Sequence, residues 1–326
     1  MIKNIVSLLI ALPLSFPLYS HESPDTLLAV FWNLENFFDH IDGGAGESDT
    51  EWSSFGSRRW TKRRFHAKCS AVAKSVFWIS GKYGRMPDII GLAEIENRKV
   101  LVRLLGDTLL RKYGYGIIHY DSSDRRGIDV ALLYRKSLFK ENSISLKVPS
   151  HEAKELNTRD ILQVCLENDD GLEINFIVNH HPSKYGGTEA SRGRRTAAMQ
   201  ALRSMCDSLV QVQPHVPIVA MGDFNDTPDG EQFHILDGRL VNIADSLFKA
   251  GEGTIRYEGK WDLIDMFLVS PSVSSSAVME ICRIPFLMVW ERKHPGFRPL
   301  RTYSGPRYIG GVSDHCPIVL RLFFGK

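Results

Sequence analysis

Short β-rich runs follow one another directly along this chain, and that succession limits its fold more than any other feature. Ile128 to Tyr134, Asp160 to Leu166, Leu172 to Val178, Val216 to Met221, Leu263 to Val269 and Cys316 to Phe324 are the clearest. Asn168-Asp169-Asp170-Gly171 between the second and third reads as a hairpin turn. A parallel sheet needs a crossover helix at each step, so directly successive strands argue against one. Helical spacing is confined to a few stretches: Phe65, Cys69, Val72, Val76 and Ile79 form one face, and Ala198, Leu202, Met205 and Leu209 another. A chain of 326 residues with 43% apolar content buries a large core, and no linker divides it. The expected class is α/β, with two mixed sheets packed face to face and helices outside. The loops Asp39 to Ser54 and Gly251 to Lys260 are expected over one rim, where polar residues gather.

Those polar residues sit where strands begin or stop. Leu27 to Trp32 ends in Asn33-Leu34-Glu35-Asn36, and Asp88 to Ala93 ends in Glu94-Ile95-Glu96-Asn97. Leu172 to Val178 ends in Asn179-His180-His181, Val216 to Met221 in Gly222-Asp223-Phe224-Asn225-Asp226, and Ser313-Asp314-His315 precedes the last run. Carboxylates, amides and imidazoles at a shared rim suit phosphoester hydrolysis. Uncatalysed, that reaction is among the slowest known. A lone general base supplies only about 10² to 10⁴-fold, so a metal ion is needed to neutralise the developing charge. Hard oxygen ligands without a thiolate cluster point to Mg²⁺ or Mn²⁺, with Ca²⁺ a further option.

Individual residues take different expected roles. Glu94 leaves a buried-looking strand, where a carboxylate must find a partner, and is the leading metal ligand. Asn33 can align a metal-bound phosphate. Asp223 and Asn225 alternate around Phe224, so on an extended backbone they project together, one to take a proton from water and the other to hold an oxyanion. Asp314 and His315 point opposite ways if extended, so one faces the metal and the other the phosphate. Asp265, an acid inside Trp261 to Phe267, needs a partner that His315 as imidazolium supplies. His180 and His181 compete for the remaining imidazole role, because only one can face the rim. Arg159 and Lys184 are the candidate phosphate contacts.

In this order, Asn33, Glu94, Asn179-His180, Gly222-Asp223-Phe224-Asn225, Trp261 to Ser270 and Ser313-Asp314-His315 resemble the endonuclease/exonuclease/phosphatase superfamily, from about Leu27 to the C-terminus. The resemblance implies a four-layered α/β sandwich over residues 25–326. It implies Glu94, Asn33 and Asp314 as metal ligands, and His180 and His315 flanking the phosphate beside Asn179. Asp223 and Asn225 would position water and transition state, Asp265 would pair with His315, and Arg159 would contact phosphate as in the secreted nucleases. Asp124 or Asp129 would orient His180. His181 and Glu96 depart from the commoner pattern, and Glu96 stands where nucleases of the family sometimes carry a basic residue.

The function so implied is a divalent-metal-dependent phosphodiesterase, a nuclease acting on DNA more than RNA. The alternative is a phosphatase or phosphodiesterase of a small-molecule or lipid-headgroup phosphate, of inositol phosphate or sphingomyelin type; a binding module that keeps the fold ranks last. No stable protein partner is implied. Lys3, the apolar stretch Ile5 to Leu18 broken by Pro13 and Pro17, and polar Ser20 to Ser23 have the layout of a signal peptide over residues 1–20. Secretion or a periplasmic location follows, with no transmembrane anchor after its removal. Net charge is only +2, but Arg58 to Arg64 and Arg192 to Arg195 concentrate positive charge that could steer a polyanion. The five cysteines lack metal or redox spacing and read as core residues.

Overall fold

The computed structural model describes residues 26–324 apart from 45, 152–153 and 185–186; the expected signal peptide lies outside the described residues. Two helical crossovers organise the chain. Strand Thr26–Phe37 runs through helix Lys62–Tyr83 to a parallel partner, Ile89–Ile95, and strand Glu173–His180 runs through helix Thr188–Val212 to its own parallel partner, Ile218–Asp223. These two parallel pairs sit at the centres of two six-stranded sheets, and every other pairing in those sheets is antiparallel. The first sheet is ordered Ala277–Ile281, Ile318–Phe323, Thr26–Phe37, Ile89–Ile95, Asp129–Arg135, Tyr115–His119. The second is ordered Val241–Asn242, Asp265–Val269, Ile218–Asp223, Glu173–His180, Ile161–Asn168, Phe139–Lys147. Residues of the turn at 168–171 close a hairpin as expected: Asn168 Oδ1 accepts from Asp170 N and Leu172 N, and Gly171 takes φ +79°.

The period of two in the strand Thr26–Phe37 decides the layers. Leu27, Ala29 and Phe31 join a core shared with Phe176, Val178, Met221 and Phe267 of the second sheet. Leu28, Val30 and Trp32 join a second core with Phe65, Cys69, Val72, Val76 and Ile79, one face of the helix Lys62–Tyr83. Helix Arg98–Gly106 covers the same side through Leu101 and Leu104, while Met199, Leu202 and Cys206 of helix Thr188–Val212 join the core of the second sheet. The α/β sandwich expected from the sequence is therefore present. All five cysteines are buried and unpaired. No helix among the described residues is long and apolar enough to cross a membrane.

Close approach of the two central strands of the second sheet requires Gly222. A Cβ there would lie 2.4 Å from the carbonyl oxygen of Asn179, a backbone atom that cannot swing aside. Gly222→Ala should cost about 1–3 kcal/mol in denaturant unfolding. Gly81→Ala, in the helix with open space around the new methyl, should instead gain roughly 0.5–1 kcal/mol. Equal effects of the two substitutions would contradict this reading of the packing.

Candidate active site

Because both parallel pairs run the same way out of their crossovers, their C-terminal ends deliver polar residues to a common rim. In the second sheet the register is explicit: Asp223 lies opposite His180 on one side and opposite Asp265 on the other. Asp223 is the hub. Its Oδ2 accepts a 3.0 Å hydrogen bond from Asn33 Nδ2 of the first sheet and lies 3.6 Å from His180 Nε2 and 3.9 Å from His315 Nε2. Its Oδ1 accepts from Asn225 N at 2.9 Å. His315 Nδ1 is 2.8 Å from Asp265 Oδ2, and Asp314 Oδ1 is 3.9 Å from His315 Nε2. Glu94 Oε1 faces His180 Nε2 at 4.0 Å. Asn33, Glu94, His180, Asp223, Asn225, Asp265, Asp314 and His315, scattered over most of the chain, thus share one cluster.

Backbone strain concentrates at the same rim. Glu35, Asn36, Glu94 and Asn225 have φ of 47°, 53°, 61° and 52°, left-handed values that non-glycine residues rarely adopt. Such conformations cost on the order of 1–3 kcal/mol each and persist where surroundings enforce them. Register shifts between Asn33 and Phe37 and between Ala93 and Ile95 mark bulges at the first two of these strand ends. The bulge turns Glu94 so that Oε2 accepts from Asn36 N at 2.6 Å and meets Arg126 Nη2 at 3.4 Å. Periodicity records burial and carries no signal for these bulges.

A supporting layer behind the cluster was invisible in the sequence. Glu35 Oε1 accepts from Arg301 Nε and Nη2 at 2.9 and 2.7 Å, and Arg301 also reaches Asp314 Oδ2 at 3.0 Å. Buried Lys68 donates to the Glu35 carbonyl at 2.7 Å and to Thr302 Oγ1 at 3.0 Å. Burial pushes the Glu35 carboxyl up to about 7, reinforced by Asp314 and opposed by Arg301 and Lys68. Strand ends are stitched directly as well: Ser313 Oγ donates to the Asn33 carbonyl at 2.6 Å, and Trp32 Nε1 donates to the His315 carbonyl at 2.9 Å.

Electrostatics divides the two rim histidines. Burial, with Arg159 and Arg126 adding to it, drives His180 well below the usual imidazole range and keeps it neutral. Burial alone would lower His315 too, but Asp265, Asp223 and Asp314 outweigh it and hold His315 well above that range, as imidazolium. One imidazole can accept a proton while the other donates hydrogen bonds to an anion. Burial also raises Asp223 to about 7, with Asp265 adding and His315 opposing.

The donors suit a hard divalent cation. Glu94 Oε1 points into the cluster while Oε2 is held, and carboxylate and amide oxygens without thiolate favour such an ion. Asn33 Oδ1 already accepts from Glu35 N at 2.9 Å, and Asp314 is tied to Arg301, so both side chains are held in fixed positions at the rim. One ligand atom from each of Asp223, Asp265 and His315 also falls within 4.8 Å of the others. His315 Nδ1 is engaged by Asp265 Oδ2 at 2.8 Å, however, so these two form a hydrogen-bonded pair.

Other expected residues lie elsewhere. His181 turns away from the rim and packs edge-on against Phe224, with ring centroids 5.0 Å apart, so His180 is the imidazole that faces Asp223. Asn179 is fully buried and bonds the Met221 carbonyl. Arg159 is buried, spending its donors on Asp124 Oδ2 and on the carbonyls of His180 and His181, which makes it a brace for the strand end. Lys184 pairs with Asp226 at 3.0 Å. Neither Asp124 nor Asp129 orients His180: the first holds Arg159, the second lies beside His119, and His180 Nδ1 has no hydrogen-bond partner. Glu96 turns toward Asp39 N, and burial, with Asp39 and Asp49 nearby, pushes it up to about 8, so it adds no charge at neutral pH. In the basic run, Arg58 pairs with Glu51 and lies over Trp52 and Tyr303, and Arg64 lies over Tyr308. Those two arginines hold the loop together.

Two adjoining cavities share Asp124 and Arg125 of the loop whose Arg126 reaches Glu94. One, about 440 Å³, is lined by Arg125, Arg126, Arg159 and Arg194; the other, about 710 Å³, is lined by more acids, Glu47, Asp49 and Asp121 among them, than bases, among them Arg98 and Lys99.

Solved structures share this architecture. The catalytic domain of human nocturnin, solved with a bound sulfate anion, is 16% identical with a TM-score of 0.57, covering 93% of this chain and 95% of that one. A mannosyl-6-phosphatase from Bacteroides thetaiotaomicron is 17% identical with a TM-score of 0.57, covering 91% and 100%. TDP2 from D. rerio, solved with a single-strand DNA product, is 14% identical with a TM-score of 0.52, covering 91% and 98%. No curated protein sequence matches the chain. Residues 28–323 match the endonuclease/exonuclease/phosphatase family, and with the rim described above the chain belongs to that family of metal-dependent phosphoester hydrolases.

Proposed function

We propose that the protein is a Mg²⁺-dependent nuclease that hydrolyses DNA phosphodiester bonds, with Mn²⁺ or Ca²⁺ as lesser substitutes, and that it acts in the periplasm or outside the cell. The observation that carries this reading is the arginine-lined cavity beside Glu94 and His180. Its carboxylate, Asp124, is bonded to Arg159. Arg126 is tied to Asn36 and Glu94 yet stays 41% exposed, Arg125 is paired with Glu47 at the surface, and Arg194 is exposed, so these three guanidinium groups can still meet an incoming anion. A monoester needs one phosphate site. Guanidinium groups beyond that site suit the neighbouring phosphates of a polyanion, and they give affinity without sequence preference. The TDP2 structure with a DNA product is in keeping with this choice. Export rests on the N-terminal layout of Lys3 and Ile5 to Leu18.

A second reading, a small-molecule or lipid-headgroup phosphoesterase, draws support from the adjoining cavity, where acids outnumber bases and would disfavour a long polyanion. Supercoiled plasmid, an inositol phosphate, sphingomyelin and a simple phosphomonoester, each tested with Mg²⁺, separate the two. Plasmid nicking that weakens steeply as salt rises is the expected result. Turnover of a small phosphoester without nicking would replace the nuclease by the second reading.

A further inference from the structure

Toward the edge of the first sheet, at the end that carries Glu94, a second group of ligand atoms lies outside the cluster around Asp223. His119 ends the strand Tyr115–His119, Asp129 begins its antiparallel neighbour Asp129–Arg135, and Asp121 stands in the loop between them. One ligand atom from each falls within 4.8 Å of the others. His119 is 93% buried, yet its Nε2 has no hydrogen-bond partner. That nitrogen faces Asp129 Oδ2 at 3.4 Å. The spacing is long for an N–H···O bond, whose usual range is about 2.7–3.2 Å. It equals the edge of a tetrahedron whose centre lies about 2.1 Å from each corner, the bond length zinc makes to imidazole nitrogen and carboxylate oxygen.

The surroundings complete such a site. Asp129 Oδ1 is fixed by Ser122 N and Oγ at 2.9 and 2.5 Å, an outer contact that aims Oδ2 at His119. Asp121 Oδ1 lies 3.9 Å from Nδ1, so to serve as a third ligand its 86% exposed side chain must rotate round the ring edge toward Nε2. The 710 Å³ cavity opens on Asp121, Ser122 and Asp129 and leaves a fourth position to water. An imidazole among carboxylates selects a transition metal over Mg²⁺ or Ca²⁺.

We infer that His119, Asp121 and Asp129 bind a zinc-class divalent ion, separate from the catalytic metal, that fixes the loop between their strands. The same loop carries Arg126, which bonds Asn36 Oδ1 at 2.6 Å beside Glu94, and Asp124, which holds Arg159. An ion at the loop's root therefore stiffens two contacts of the catalytic rim without touching substrate.

The test uses the full chain carrying Glu94→Ala, which disables the expected catalytic ligand. Zn²⁺ titrated by calorimetry should bind one to one and raise the melting temperature. Adding Asp121→Asn should weaken that binding at least about tenfold and abolish the thermal shift. Since Asp121 is a surface side chain, its asparagine variant retains the fold. His119→Gln should reproduce the loss. If Glu94→Ala binds no Zn²⁺, or if Asp121→Asn leaves the affinity unchanged, the ion belongs elsewhere and the inference is wrong.

Discussion

Glu94→Gln should lower phosphodiester hydrolysis by roughly 10³-fold or more at saturating Mg²⁺, with the fold intact. A bound cation contributes several kcal/mol of transition-state stabilisation, and each 1.36 kcal/mol is about tenfold in rate. Glutamine keeps the shape of the side chain and can still accept from Asn36 N through its amide oxygen. What it removes is the negative charge facing His180 and the ion. Chelation of the wild-type enzyme should produce a loss of the same order, and chelation of the variant should add little, because both remove one contribution. A chelated wild type that keeps its rate would end the metal-dependent reading of the rim. A variant retaining more than a tenth of the activity would instead move the principal ligand to Asp223 or Asp314.

Much of this site could be read from the chain because each residue follows or precedes a strand whose apolar run is visible. Leu27 to Trp32 and Asp88 to Ala93 show where Asn33 and Glu94 emerge; alternation fails for Asn225, which lies past the strand with φ 52° and donates its amide to the His181 carbonyl at 2.9 Å. The direction of the two parallel pairs, set by their crossover helices, does the rest. Contacts between remote segments left no such mark. Glu35 and Arg301 lie 266 residues apart, and nothing local distinguishes that arginine from any other. Arg159 misled for a related reason: an arginine near a phosphate site can bind phosphate or brace a backbone, and only coordinates tell which carbonyls lie within reach. The strand Phe139–Lys147 was missed because it is mostly exposed on both faces, so it lacks the alternation that betrays a half-buried strand. The left-handed turn at Glu94 was equally silent, since a strained φ answers to surroundings and not to the residue's own propensity.

The second large effect belongs to His315. His315→Ala should cost about 10² to 10⁴-fold, the usual contribution of a positioned acid or base. Asp265 touches His315 at 2.8 Å and is almost wholly buried, so its part is to hold the ring and its charge. Asp265→Asn should therefore lose a comparable factor while leaving substrate binding nearly unchanged, which appears as a fall in kcat with little change in KM. The pair acts as one unit, so Asp265→Asn combined with His315→Ala should be no slower than His315→Ala alone. His181→Ala supplies the contrast. That ring lies against Phe224 behind the rim, so its removal should lower stability by cavity formation while changing the rate per folded molecule less than tenfold. Rates multiplied independently in the double variant would mean that Asp265 acts on something other than His315. Loss of chemistry in His181→Ala equal to that in His180→Ala would put the wrong imidazole beside Asp223.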